Sequence, residues 1–115
     1  MKFRISRDQF LTPLQLVSGA IERRHTLPIL SNILLKVHET SLWLTGTDLE
    51  VELISRIDLS EDAEEGEITV PAKKLVDICR GLSEGAEIEF SVKDNKALIK
   101  SGRGKYTLST LNAND

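Results

Sequence analysis

Polar and apolar residues alternate at the start of the chain. In KFRIS (2–6) Phe3 and Ile5 share one face and Lys2 and Arg4 the other, the period-two pattern of a half-buried strand. The period then lengthens: Phe10, Leu14, Val17 and Ile21 recur at helical steps. Ser6 and Gln9 have the spacing of a capping box, and Thr12 and Gln15 form a second one with Pro13 at its first helical position. An interior proline costs a helix about 3 kcal/mol. The helix therefore either begins at Arg7 and bends near Pro13 or begins at Thr12; the preferred reading is one bent helix ending near Arg23. Three strands follow. SNILLKVH places Ile33, Leu35 and Val37 on one face, ETS is a tight turn, and LWLT sets Leu42 and Leu44 against Trp43 and Thr45. LEVELISRI turns Leu49, Val51 and Leu53 inward and Glu50 and Glu52 outward.

The same order then recurs. EITV (67–70) is a strand and Pro71 opens a helix at its first position. Leu75, Ile78, Cys79 and Leu82 form the buried stripe of that helix, and Gly81 caps its end in a left-handed conformation. AEIEFSV alternates Ile88, Phe90 and Val92, KDN is a turn, and KALIKS and KYTLSTL are strands. A glycine-containing tetrad, TGTD (45–48) or SGRG (101–104), separates the last two strands of each half. The reading is an α+β layer fold in which a β-α-β-β-β unit occurs twice, as a duplicated architecture with slight identity between halves. The helices cover one face of mostly antiparallel sheets.

At 115 residues the chain fits one compact domain, expected to span 1–115, and its 40% hydrophobic and 29% charged content is that of a folded soluble protein. No apolar run approaches the roughly 20 residues that span a bilayer, so no membrane contact is expected. The single cysteine, Cys79, fits a reducing, cytoplasmic setting. A net charge of −3 argues against a protein that grips nucleic acid over its whole surface, yet the charge is unevenly placed. Residues 58–67 hold six acids and no base, and residues 93–105 hold five bases and one acid. Both runs are either solvated loops or a polarised surface that recognises a partner.

Little in the chain supports catalysis, and no catalytic residue, metal ligand set or cofactor is assigned. His25 and His38 have no cysteine or acid at metal-ligand spacing. Cys79 sits in an apolar stripe and reads as a small buried hydrophobe. Asp48, Glu50 and Glu52 share one side of a strand, a pattern that simple alternation also produces. TGTDLE and SGRGKY lack phosphate-loop spacing, so their glycines read as turn residues. The exposed helix faces are more informative. Lys73, Asp77 and Arg80 lie opposite the Leu75/Ile78 stripe, with Lys73 and Arg80 roughly 10.5 Å apart along the axis. The first helix is mild on its outer side (Asp8, Thr12, Gln15, Gly19) until Arg23 and Arg24, which with His25 are either a solvated helix end or a contact with something negative. Such faces suit weak, sequence-blind attraction to phosphates.

TLPILSNILL, LTGTDLEVEL, TVPAKKLVDICRGLSEGAEIEF and SGRGKYTLSTL together resemble the first domain of bacterial DNA sliding clamps, the β subunits of DNA polymerase III holoenzyme, over essentially the whole chain. The resemblance implies the DNA-clamp fold and a non-catalytic processivity factor, working in the bacterial cytoplasm at the nucleoid. It implies a head-to-tail homodimeric ring of two three-domain subunits, with helices lining the pore around duplex DNA and sheets forming the outer wall. The chain stops at NAND, about where a first domain passes into a second, so it is expected to be an isolated first domain. The pocket for polymerase and clamp-loader peptides belongs to the later domains. The resemblance also implies that Arg24 contacts the duplex without sequence preference, with Arg23 beside it, and that Lys73 and Arg80 lie on a pore-facing helix. Lys74, Lys96, Arg103 and Lys105, with Tyr106 and Leu108 as the apolar part, match the basic side of the subunit interface. The isolated chain, lacking the acidic third domain, is expected to be a monomer. The competing reading is a free-standing interaction module that uses its basic C-terminal hairpin on an acidic partner.

Overall fold

The computed structural model describes residues 1–19, 31–47, 52–59 and 63–111. In chain order these form β1 (Lys2–Ser6), α1 (Arg7–Ser18), β2 (Asn32–His38), β3 (Ser41–Thr47), β4 (Glu52–Asp58), β5 (Gly66–Pro71), α2 (Ala72–Gly81), β6 (Glu87–Lys93), β7 (Lys96–Ser101) and β8 (Gly104–Ser109). The twofold β-α-β-β-β order is thus present.

The first capping box decides where α1 begins. Ser6 is the N-cap, its hydroxyl accepting from the Gln9 N–H at 3.2 Å and donating to Gln9 Oε1 at 3.2 Å. Pro13 lies inside the helix without ending it. Two bonds at its start and a fully buried stripe of Phe10, Leu14 and Val17 offset the hydrogen bond that proline removes. The helix closes at Ser18, short of the expected Arg23, where the Gly19 N–H turns back to the Gln15 and Leu16 carbonyls. Ile21 lies outside the described residues, as do Asp48, Leu49, Glu50 and Val51.

Three details of the second half differ from expectation. Pro71 ends β5 and stands as N-cap rather than as the first helical residue. The buried stripe of α2 is Ala72, Leu75, Val76 and Cys79, while Ile78 and Leu82 are only half-buried at its margin. The stripe is rotated because α2 packs on α1 as well as on the sheets, and Arg7 Nε donates to the Cys79 carbonyl at 3.1 Å. Gly81 is the exposed last residue of the helix, and the left-handed glycine is Gly85 (φ 75°) in the turn beyond it. In the first half, Gly46 is a paired residue inside β3 opposite Leu53, not a turn residue.

The two repeats do not fold as separate units. One four-stranded sheet, sheet A, has the order β1-β6-β7-β8, and the other, sheet B, has the order β4-β3-β2-β5. Each half has given its first strand to the other half's sheet. Phe3 pairs with Phe90 and Ile5 with Ile88 on one side; Ile33 pairs with Val70 and Leu35 with Ile68 on the other. Phe3 stacks on Phe90 at 4.8 Å and meets Phe10 edge-on at 5.8 Å, joining β1, β6 and α1 in one core. Backbone bridges also tie the sheets together: Lys2 exchanges hydrogen bonds with Glu64, and Leu111 exchanges two of 3.0 Å with Thr69. These bridges cover the outer sides of β1 and β5. Among the described residues β4 and β8 remain as open edges.

Candidate nucleic-acid interface

The helices lie together on one side of the sheets, and their outer surface is the candidate contact with phosphates. On α2, Lys73, Lys74, Asp77 and Arg80 are exposed, as the spacing of 73, 77 and 80 requires once 72, 75, 76 and 79 turn inward. Both Lys73 and Arg80 are exposed, and neither has an ion pair among the described residues. On α1 the exposed residues are Asp8, Gln9, Thr12, Gln15 and Leu16 (61% exposed), and Gly19 is exposed at its C-cap. Asp8, the acid among them, is occupied: Oδ1 meets Arg7 Nη1 at 3.0 Å and Oδ2 accepts from the Gly85 N–H at 3.1 Å. Repulsion of an approaching phosphate is reduced accordingly. Arg23 and Arg24, the remaining predicted contacts, and their neighbour His25 lie outside the described residues.

The predicted subunit edge is built by β8. Thr110 N–H bonds back to the Asn95 carbonyl at 3.2 Å, while Leu111 bonds outward to Thr69. Alternation along the strand then points the backbone groups of Lys105, Thr107 and Ser109 away from β7, at the open edge. Side chains flank that edge on both faces. Lys96 and Lys105 stand on the outer face, Lys96 Nζ reaching Ser109 Oγ at 3.0 Å. Tyr106, opposite the buried Ile99, is on the helix side and 38% exposed, and Leu108 beside it is 7% exposed within the protein's own core. Arg103 sits at the exposed turn with Gly102 (φ 56°), and Lys74 is exposed on α2.

Of the groups weighed for catalysis, His25, Asp48 and Glu50 lie outside the described residues. Among the described residues no cluster of three His, Cys, Asp or Glu side chains could hold a metal. Burial, opposed only by the charge of Arg7, pushes the Cys79 thiol up to about 12, the reverse of what a nucleophile needs. His38, at the exposed end of β2, meets Glu65 at 3.3 Å, a contact with no signal in the linear sequence because 27 positions separate the two. No helix among the described residues is long and apolar enough to cross a membrane.

A basic helix layer backed by two sheets with exchanged first strands is the architecture of a DNA-clamp domain. The family model for the DNA polymerase III beta subunit, N-terminal domain, matches residues 1–115. The chain belongs to that family. It is 59% identical to the beta sliding clamp of Pseudomonas putida and 52% identical to that of Escherichia coli, in each case over all of this chain and 31% of the relative. The crystal structure of a DnaN sliding clamp from Pseudomonas aeruginosa bound to griselimycin superposes with a TM-score of 0.98 at 57% identity, again over 100% of this chain and 31% of that one. The chain therefore spans about a third of the length of these relatives.

Proposed function

We propose that this chain acts as the first of three domains of a processivity clamp, a non-catalytic part of a ring that encircles duplex DNA and tethers the replicative polymerase. The observation that carries the reading is the exposed cation set on α2, Lys73 and Arg80, without an ion pair among the described residues and on the side of the molecule opposite the sheets. A ring that slides needs attraction without register. A few cations near phosphates supply it, whereas bidentate contacts to base edges would hold the ring in place. Arg24, with Arg23 beside it in the sequence, is the principal contact with the duplex in this reading. No cofactor takes part, and the setting is the bacterial cytoplasm, at the nucleoid.

The β8 edge is the basic half of the subunit interface, closing head-to-tail on an acidic third domain of a second subunit. Its open backbone row and Lys74, Lys96, Arg103, Lys105 and Tyr106 support this role; Leu108 supports it from within the core, by holding β8 in place. Polymerase and clamp loader dock on the later domains.

Duplex DNA titrated with the 115-residue chain at several salt concentrations tests the reading. Binding is expected to be weak, blind to sequence and steeply salt-dependent. Replacing Lys73 and Arg80 by alanine should lower the log–log salt slope by about 0.9 for each phosphate that is no longer neutralised. Sequence-dependent binding, or binding unchanged in the double variant, would overturn it. In a complete ring, Arg24→Ala is expected to weaken DNA association and loading while leaving the ring assembled.

A further inference from the structure

The outer face of sheet A carries an arrangement that the DNA surface does not use and the β8 edge uses only in part, through Lys96 and Lys105 and not through Lys93 or Lys100. Lys93 on β6 stands directly opposite Lys96 on β7, and Lys100 on β7 directly opposite Lys105 on β8. All four point away from the core, because their strand neighbours Val92, Ala97, Ile99 and Leu108 point into it. Like charges directly opposite one another destabilise a sheet, and this sheet contains two such pairs. Acids close by do not neutralise them. Glu89 is the cross-strand neighbour of Lys100, but its oxygens are taken by Lys2 at 3.4 Å and Arg4 at 3.5 Å. Among the described residues Lys93, Lys100 and Lys105 have no ion pair. Between the two pairs, on the same face, lies the half-buried Leu98.

We infer that this strip binds an extended acidic peptide segment of another protein, with two carboxylates four residues apart and an apolar side chain midway between them. The spacing follows from the strand. Lys96 and Lys100 are four residues apart on β7, about 13 Å, which an extended peptide matches with its own residues i and i+4 while residue i+2 lies over Leu98. A duplex is the poorer fit. The strip is bounded by Glu87 on β6, which has no ion pair among the described residues, and Tyr106 is on the helix side, away from it. A narrow peptide stays within the cations, whereas a wide polyanion meets Glu87 as well. Lys93 and Lys100 sit inward of β8, so pairing at the edge leaves them open. The proposal does not rest on the clamp reading.

The probe is a fluorescein-labelled peptide Glu-Thr-Glu-Thr-Leu-Thr-Glu-Thr-Glu, titrated by anisotropy with the 115-residue chain at low salt. A peptide of the same composition with its four glutamates contiguous is the control. The alternating peptide is expected to bind more tightly than the control, and Lys93→Glu and Lys100→Glu should each weaken it about tenfold. Lys73→Glu, on the helix side, should leave it unchanged. Lys93→Glu also relieves a like-charge pair, so its melting temperature is expected to hold or rise while binding falls, which separates weakened binding from a damaged fold. Equal binding of both peptides, or insensitivity to Lys93→Glu and Lys100→Glu, overturns the proposal. So does displacement of the peptide by a short duplex whose own binding falls with Lys100→Glu, because the strip would then be a nucleic-acid surface.

Discussion

At the scale of single residues, burial separates neighbours that look alike in the sequence. Leu75 is fully buried on α2 and Lys73 fully outward, with Ile78 between them at the margin of the stripe. Leu75→Ala is expected to cost about 2–5 kcal/mol and Lys73→Ala less than about 0.5 kcal/mol. Ile78→Ala should fall between them, and urea denaturation of the three variants checks the order. Cys79 adds a pH dependence. Its thiol titrates near 9.0 when unconstrained and is raised to about 12 by burial in the fold. Between those values the unfolded chain loses a proton that the folded one keeps. Stability from this group is therefore fully present below pH 9 and is lost as pH rises toward 12. Cys79→Ala should flatten the part of the decline that separates it from the parent chain. Parallel slopes above pH 9 in the two proteins would show that the thiol ionises as easily folded as unfolded.

At the scale of elements, local chemistry sets the ends and tertiary contact sets the faces. Two helix starts compete in the sequence around Pro13, and the Ser6 cap prevails because it is held on both sides. The Arg7 N–H bonds to the Ala86 carbonyl at 2.7 Å, and Arg7 Nε bonds to the Cys79 carbonyl. Ser6→Ala is expected to cost about 1 kcal/mol, read as a lower denaturation midpoint with an unchanged slope. The β6–β7 hairpin is equally local. Asp94 (φ 52°) and Asn95 (φ 61°) are both left-handed, as a two-residue turn between right-twisted strands requires, and Asx residues tolerate that conformation best after glycine. Gly66 is different in kind. A Cβ there would stand 2.8 Å from that of Met1, so the requirement comes from a residue 65 positions away. No local pattern announces it.

At the scale of the whole molecule, the exchange of β1 and β5 makes the halves interdependent. A chain cut between residues 60 and 61 leaves each fragment without the strand that lines one side of its sheet. Neither fragment alone is expected to show a cooperative thermal transition by circular dichroism, and mixing the two should restore one. Independent folding of either fragment would contradict the interlocked core. The edges left open among the described residues bear on assembly. The basic β8 edge faces like charge in a second copy of itself, and a head-to-tail contact cannot be closed by identical first domains alone. Sedimentation equilibrium at micromolar concentration is expected to return the 12.8 kDa monomer. A stable symmetric dimer through β8 would refute the edge assignment. In the full-length subunit, reversing Arg103 and Lys105 to glutamate should open the ring and leave the domain folded.

By itself the sequence determined the order and type of the elements, because period-two and period-3.6 patterns depend on residues within a few positions of one another. Phe3 and Ile5, Ile33, Leu35 and Val37, and Ile88 and Phe90 are all buried where alternation places them. It also located the cations, since Lys73 and Arg80 fall on the exposed side of α2 both for the expected stripe of 75, 78, 79 and 82 and for the observed stripe of 72, 75, 76 and 79. Only the tertiary structure decided which strands pair, because the choice between a near neighbour and a strand of the other repeat is made by long-range contacts that leave the local pattern unchanged. KFRIS would alternate identically in either sheet. The same physics hid the paired lysines. Lys93 and Lys96, and Lys100 and Lys105, read as one charge run along the chain, and cross-strand register alone sets them face to face.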